Sequence, residues 1–235
     1  MKGRRLVSQV VGVAVGVTLA TIASAAPSAP IGYEAKVVRT MAIDDLTETG
    51  TWTPRGSETS AALDDKVVKV GERSLRFEIK VDFHNKAPYP VGWPAVTCPL
   101  RPPVDWSAYN TLAFWARVDD HANKPASTRR YPLRPHLRSR GQNIKGVDPP
   151  RVAVGSWQRF FISLNSIRAR DRMEHVQWFI CESDYGHGDH ITFYIDGLEL
   201  LQIDLVKERL PADQASAKLL LGDPKIGRAS CRERV

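Results

Sequence analysis

The sequence predicts an all-β fold, a β-sandwich. Residues 74–83 alternate without a break: Leu75, Phe77, Ile79, Val81 and Phe83 take one side, and Arg76, Glu78, Lys80 and Asp82 the other. A period of two with one apolar face is the pattern of a half-buried strand. Sixteen Gly and sixteen Pro are spread along the chain, so the apolar runs between them are short. No segment carries a sustained helical period, which leaves short strands joined by turns.

In chain order, residues 36–46 read as an opening strand that ends in Asp44-Asp45. Residues 47–65 are polar and read as a surface connection around Trp52. Residues 67–70 form a short strand before the turn Gly71-Glu72-Arg73, which leads into the alternating strand above. After a loop at 84–90, residues 91–98 read as a strand interrupted by proline, hence an edge or kinked one. Residues 104–118 begin with an Asp-Trp-Ser-x-Tyr-Asn turn whose polar side chains are suited to bonding nearby backbone. They continue as a strand with Leu112, Phe114, Ala116 and Val118 inward, and Ala113, Trp115 and Arg117 outward.

A polar loop at 119–130 follows, then a strand at 131–140 with His136, Arg138 and Arg140 on one side, and a loop at 141–150. Residues 156–164 form a strand with Phe160, Ile162 and Leu164 inward. Residues 165–170 have room for one helical turn. Residues 174–182 look apolar on both faces, as a central strand would. Residues 191–202 close the domain with Ile191, Phe193 and Ile195 inward, and Thr192, Tyr194 and Asp196 outward.

Both ends stand apart from this pattern. Lys2, Arg4 and Arg5 precede an apolar run, and Ala23-Ser24-Ala25 is a small-residue cleavage signature. Residues 1–25 therefore read as an export signal. Residues 226–235, IGRASCRERV, match one reading frame of a widely used sequencing adapter and are read as translated adapter. On that reading residues 204–225 are a linker, or the start of a region lost downstream. Six of the basic residues and one acid lie in the two ends, so the net charge of +7 becomes +2 without them. The basic balance thus gives no reason to expect nucleic acid as a partner, and no membrane association is expected after signal cleavage. Setting aside Cys231 leaves Cys98 and Cys181, an even pair in an exported chain. They either form a disulfide, contributing on the order of 4 kcal/mol if unstrained, or remain two buried thiols.

The run of motifs Gly-x-x-Ser-Leu-Arg-Phe (71–77), Gly-Trp-Pro (92–94), Asp-Trp-Ser-x-Tyr-Asn with Leu-x-Phe-Trp (105–115), Gly-Ser-Trp-Gln-Arg (155–159) and Phe-Tyr-Ile-Asp-Gly-Leu (193–198) resembles galactose-binding-like jelly rolls. Many carbohydrate-binding modules of secreted polysaccharide-degrading enzymes belong to that group. The resemblance spans residues 34–203. It implies two packed antiparallel sheets, sugar recognition on a concave face or at loop tips, and often a structural calcium. The fold does not by itself deliver function.

A sugar site needs an aromatic platform and polar groups for hydroxyls. If the sheets pair as the resemblance implies, Arg76, Glu78, Trp115, Arg117, His136, Arg138 and Tyr194 share one outward face, with Tyr185 reaching in from a loop tip. Asp45 and Asp196 lie near strands that end together and are the expected calcium ligands. The loop at 181–190, CESDYGHGDH, carries metal-ligand chemistry on a Gly-rich hairpin, where a solvated turn is the expected role. A catalytic reading needs two carboxylates facing across a cleft; Glu78 and Glu182 are available with nothing to tie them together. The sequence therefore points to an exported, secreted, periplasmic or cell-surface module that binds polysaccharide or oligosaccharide and has a catalytic domain missing from the same chain. A glycoside hydrolase or polysaccharide lyase fragment is the first alternative, and a structural or adhesion domain the second.

Overall fold

The fold is taken from a computed structural model, which describes residues 33–44, 46, 48, 51–84, 93–121, 131–144 and 149–207. The expected signal, the adapter-like tail and most of the linker lie outside them. Thirteen strands follow one another among the described residues: β1 Tyr33–Ala42, β2 Thr53–Arg55, β3 Thr59–Asp64, β4 Ser74–Lys80, β5 Ala95–Val104, β6 Thr111–Asp120 and β7 Tyr131–Pro132 come first. They continue as β8 Arg134–Ser139, β9 Gln142–Ile144, β10 Arg151–Val152, β11 Gln158–Ser163, β12 Met173–Phe179 and β13 His190–Lys207.

Eleven of these strands make a two-sheet β-sandwich, as expected, and β7 and β10 pair with each other in a separate two-stranded sheet. A six-stranded sheet has the order β11-β6-β13-β4-β3, with β1 also paired to β13, and a five-stranded sheet has the order β2-β5-β12-β8-β9. All strand pairings in these two sheets are antiparallel. The alternation read from the sequence supplies the core. Leu75, Phe77, Ile79, Leu112, Phe114 and Phe193 from one sheet meet Val96, Leu137, Val176 and Trp178 from the other, all nearly inaccessible. Phe114 and Trp178 bridge the sheets with ring centroids 4.5 Å apart.

Two local devices explain the long β13. Asn110, last residue of the Asp-Trp-Ser-x-Tyr-Asn turn, imitates a strand residue: its Nδ2 donates to Ile203 O and its Oδ1 accepts from Ile203 N. Asp105 Oδ1 accepts Ser107 N–H at 2.7 Å, as the turn chemistry predicts. Further back, β13 bulges between Asp196 and Glu199. Gly197 sits there at φ +54, a left-handed conformation that favours glycine. Asp196 stabilises the bulge by accepting N–H groups from Gly197, Lys69 and Val70.

Several expectations are corrected. Residues 67–70 are not a strand, because Lys69 and Val70 spend their N–H groups on Asp196 and Val67 its own on Asp64. Residues 47–65 contain β2 and β3; Ala61 and Leu63 of β3 pack against the core. β5 is interior beside β2, but β2 pairs only with Ala95 to Thr97, so Pro99, Pro102 and Pro103 lie where that edge is open. The loop at 141–150 holds β9, joined to β8 by Arg140-Gly141, both at positive φ. Residues 165–170 form a turn and no helix. β12 is central, as expected, yet it is apolar on one face only.

Candidate functional site

The outer face of the five-stranded sheet is built from the outward residues of β2, β5, β12, β8 and β9. Register places them in rows across the strands: Arg55, Ala95, Phe179 and Arg134; then Thr53, Thr97, Gln177 and His136; then Pro99, His175, Arg138 and Asn143. The middle row is a hydrogen-bonded chain. His136 Nδ1 lies 2.8 Å from Gln177 Oε1, and Gln177 Nε2 donates to Thr97 Oγ1 at 2.8 Å. An amide oxygen only accepts, so His136 Nδ1 is the donor of this bond, and Nε2 is left to meet another partner. Thr97, already an acceptor, retains its own hydroxyl hydrogen.

Aromatic edges surround this row. The His136 ring is 5.6 Å from His175 and 6.3 Å edge-on from Phe179. His175 Nε2 is buried without a hydrogen-bond partner. Burial first, then the charges of His136 and Arg138, hold the His175 pKa below its ordinary value, against an opposing pull from Glu174. Arg138 pairs with Glu174 and Arg134 with Asp184. At one end, Ile180 N–H donates to Pro94 O, continuing the β12–β5 ladder past Ala95. Strand alternation then puts Trp93 on the same side as Ala95 and Thr97. Trp93 is 62 % exposed, while the other large hydrophobic residues exposed among the described residues are aliphatic. A flat face with donors and acceptors along its middle and rings around it suits a ligand with polar edges and apolar C–H faces.

The site residues expected from the sequence do not share one face. Arg76, Glu78, Trp115, Arg117 and Tyr194 lie outward on the six-stranded sheet, where register brings Tyr194 opposite both Arg76 and Arg117. His136 and Arg138 lie on the opposite side of the sandwich, because β8 pairs with β12 in the other sheet. Tyr185 joins neither face; it is buried, with its ring 5.9 Å from Tyr131.

On the six-stranded side the polar groups largely satisfy one another. Arg117 grips Asp119 with two bonds, Glu78 holds His190 Nε2 at 2.7 Å, and Arg76 lies near Asp64 and Glu78. Tyr194 is buried, and that burial raises its pKa. Trp115 lies between Lys69 Nζ, 4.6 Å from the ring centroid, and the Arg159 guanidinium at 5.8 Å. It lines a 380 Å³ cavity with Leu46, Val70 and Glu199, the last tied to Arg159. Its half-buried ring packs against Gly197, where an added Cβ would sit 3.2 Å from Trp115 Cδ1.

Of the two residues expected to hold calcium, the structure describes Asp196. Asp196 faces three backbone N–H groups, which attract an anion and repel a cation. Asp45 lies outside the described residues, and no group of three His, Cys, Asp or Glu among the described residues could hold a metal ion. Cys98 and Cys181 are free thiols. Cys98 turns into the core, where burial, followed by the negative charge of Asp44, pushes its pKa up to about 12. Cys181 Sγ instead lies 3.0 Å from Ser183 Oγ. In the loop at 181–190, Glu182 is buried, Asp189 accepts Gly186 N–H, and His187 and His190 point to different carboxylates.

Sequence reasoning missed Thr97, His175, Gln177, Phe179 and Trp93. The signal was available in β12, where His175, Gln177 and Phe179 alternate with Val176 and Trp178. It was hidden by reading 174–182 as apolar on both sides.

No family model matches the chain, and no curated protein matches it. Among solved structures, it is similar to a family 11 carbohydrate-binding module from Clostridium thermocellum in complex with a β-1,3-1,4-mixed-linked tetrasaccharide. Identity is 13 %, with 72 % of this chain and 98 % of that one covered and a TM-score of 0.47. It is also similar to a xylan-binding domain from Paenibacillus barcinonensis, at 13 % identity, 74 % and 96 % coverage and a TM-score of 0.42. An exo-β-agarase matches at 9 % identity over 74 % of this chain and 25 % of that one, with a TM-score of 0.45.

Proposed function

We propose that the domain is an exported, non-catalytic carbohydrate-binding module that lays a polysaccharide along the outer face of the five-stranded sheet. The observation that carries this reading is the His136–Gln177–Thr97 chain, flanked by Phe179 and His175. His136 Nε2 accepts from a sugar hydroxyl, Thr97 donates to one, and Phe179 supplies an edge for C–H contacts. Trp93 extends the platform beyond the strand end. From Trp93 to Pro99 the face runs about 20 Å along the strand, a length that suits a chain of sugars. Binding is favoured over turnover because Glu174 and Asp184, the carboxylates at this face, are each paired with an arginine.

Export rests on the charged start, apolar run and Ala23-Ser24-Ala25 signature. In this reading the module serves a larger polysaccharide-active protein. Affinity electrophoresis against a panel of soluble polysaccharides tests the binding role. Retarded migration in at least one polymer, lost in Phe179→Ala, is expected; unretarded migration in every polymer would refute it.

A further inference from the structure

The two outer faces of the sandwich differ in charge. On β3, β4, β6, β11 and the adjoining part of β13, Arg76, Lys80, Arg117 and Arg159 are matched by Asp64, Glu78, Asp119 and Glu199. A 500 Å³ groove at that side adds Glu58 and Asp82. On the five-stranded side, among the described residues, four arginines meet two carboxylates. Arg134 and Arg138 are paired with Asp184 and Glu174, whereas Arg55 and Arg101 are exposed and make no ion pair with a described residue.

Position makes this excess usable. Arg55 stands opposite Ala95 in the same row as Phe179 and Arg134, so the two arginines flank the platform three strand spacings apart. That is about 14 Å, longer than the ~8 Å over which charges act on one another at physiological salt. Arg134 is held by Asp184, so Arg55 is the guanidinium of this row that faces the ligand. Arg101 is exposed two residues beyond Pro99 on β5, where the ladder to β12 turns irregular, and Arg138 stands across from His175 at that end of the face. A planar guanidinium presents a fork of donors that matches a carboxylate or a sulfate better than a neutral hydroxyl.

We infer that the ligand of this face is an anionic polysaccharide, with carboxylate or sulfate groups spaced along a chain whose sugar rings lie on the His136–Gln177–Thr97 row. The inference rests on the binding role proposed above and names its substrate class.

Isothermal titration with three soluble polymers separates the possibilities: polygalacturonate for carboxylates, a sulfated galactan for sulfates, and a mixed-linkage β-glucan as the neutral arm. The intact protein is compared with Arg55→Gln/Arg101→Gln, two exposed positions whose change leaves the core untouched. At low salt at least one anionic polymer binds more tightly than the glucan, and the carboxylate and sulfate arms show which group is read. That affinity falls at least tenfold when salt is raised from 0.01 to 0.5 M, and about two- to fivefold for each arginine removed. Glucan binding as tight as that of the tighter anionic polymer, or anionic binding untouched by the double substitution, overturns the inference and leaves the carbohydrate-binding role standing. Failure of all three polymers, and of the wider panel, would overturn both.

Discussion

Replacing Gln177 with alanine cuts the central row of the proposed site at both ends. The side chain makes two hydrogen bonds of 2.8 Å, accepting from His136 and donating to Thr97. Each neutral bond is worth about 0.5–1.5 kcal/mol net, and water replaces part of that on a half-exposed face. The loss of stability should be about 1–2 kcal/mol, or roughly 3–6 °C in melting temperature for a domain of this size. The effect on binding should be larger, because His136 and Thr97 lose the partner that orients them toward a sugar. About a ten- to hundredfold loss of affinity, near 1.4–2.7 kcal/mol, is expected. Gln177→Glu provides the control: it still accepts from His136, but Thr97 must now donate inward, so affinity should be intermediate. Titration calorimetry beside a thermal melt reads both effects. Affinity within about twofold of the parent, in a folded variant, would refute the role given to this row.

Three further outcomes are expected. Gly197→Ala forces a side chain into a left-handed backbone and to 3.2 Å from Trp115, so it should cost about 1–3 kcal/mol by denaturant titration; an unchanged midpoint would contradict the packing of Trp115. Peptide mapping after alkylation of the native protein should find Cys181 modified and Cys98 untouched, and reductant should leave the melting temperature unchanged, whereas a linked Cys98–Cys181 peptide would contradict the free thiols. The lowered His175 pKa sets a sign as well. Below about pH 6.5 the unfolded chain binds a proton that the folded His175 resists, so its stability contribution is present above that value and lost as pH falls through the lower folded pKa. Melts between pH 8 and pH 5 should show a decline that His175→Gln reduces.

The fold was legible because strand periodicity depends on neighbouring residues alone. Leu75, Phe77 and Ile79 alternate with polar residues, Leu112 and Phe114 keep the same period beside Ala113 and Trp115, and all five point inward as read. The turn chemistry of Asp105 was local too. Strand partnership was not legible. His136 and Arg138 carry no mark that assigns β8 to β12 instead of β6, and that one assignment separates them from Trp115 and Tyr194. β2 and β9 were missed because three-residue strands hold too few alternations to be seen. The fate of Asp196 was equally non-local: a carboxylate that resembles a cation ligand in sequence instead meets the N–H groups of Lys69 and Val70, well over a hundred residues away.

The assignment of binding to the five-stranded sheet is tested most directly by affinity electrophoresis of variants from the two faces in the same gels. Phe179→Ala and His136→Ala should lose retardation in the polysaccharide that retains the parent, while Trp115→Ala, on the opposite face, should migrate as the parent does. Retardation kept in the first two and lost in Trp115→Ala, with all three folded, would contradict it and place the site on the six-stranded sheet.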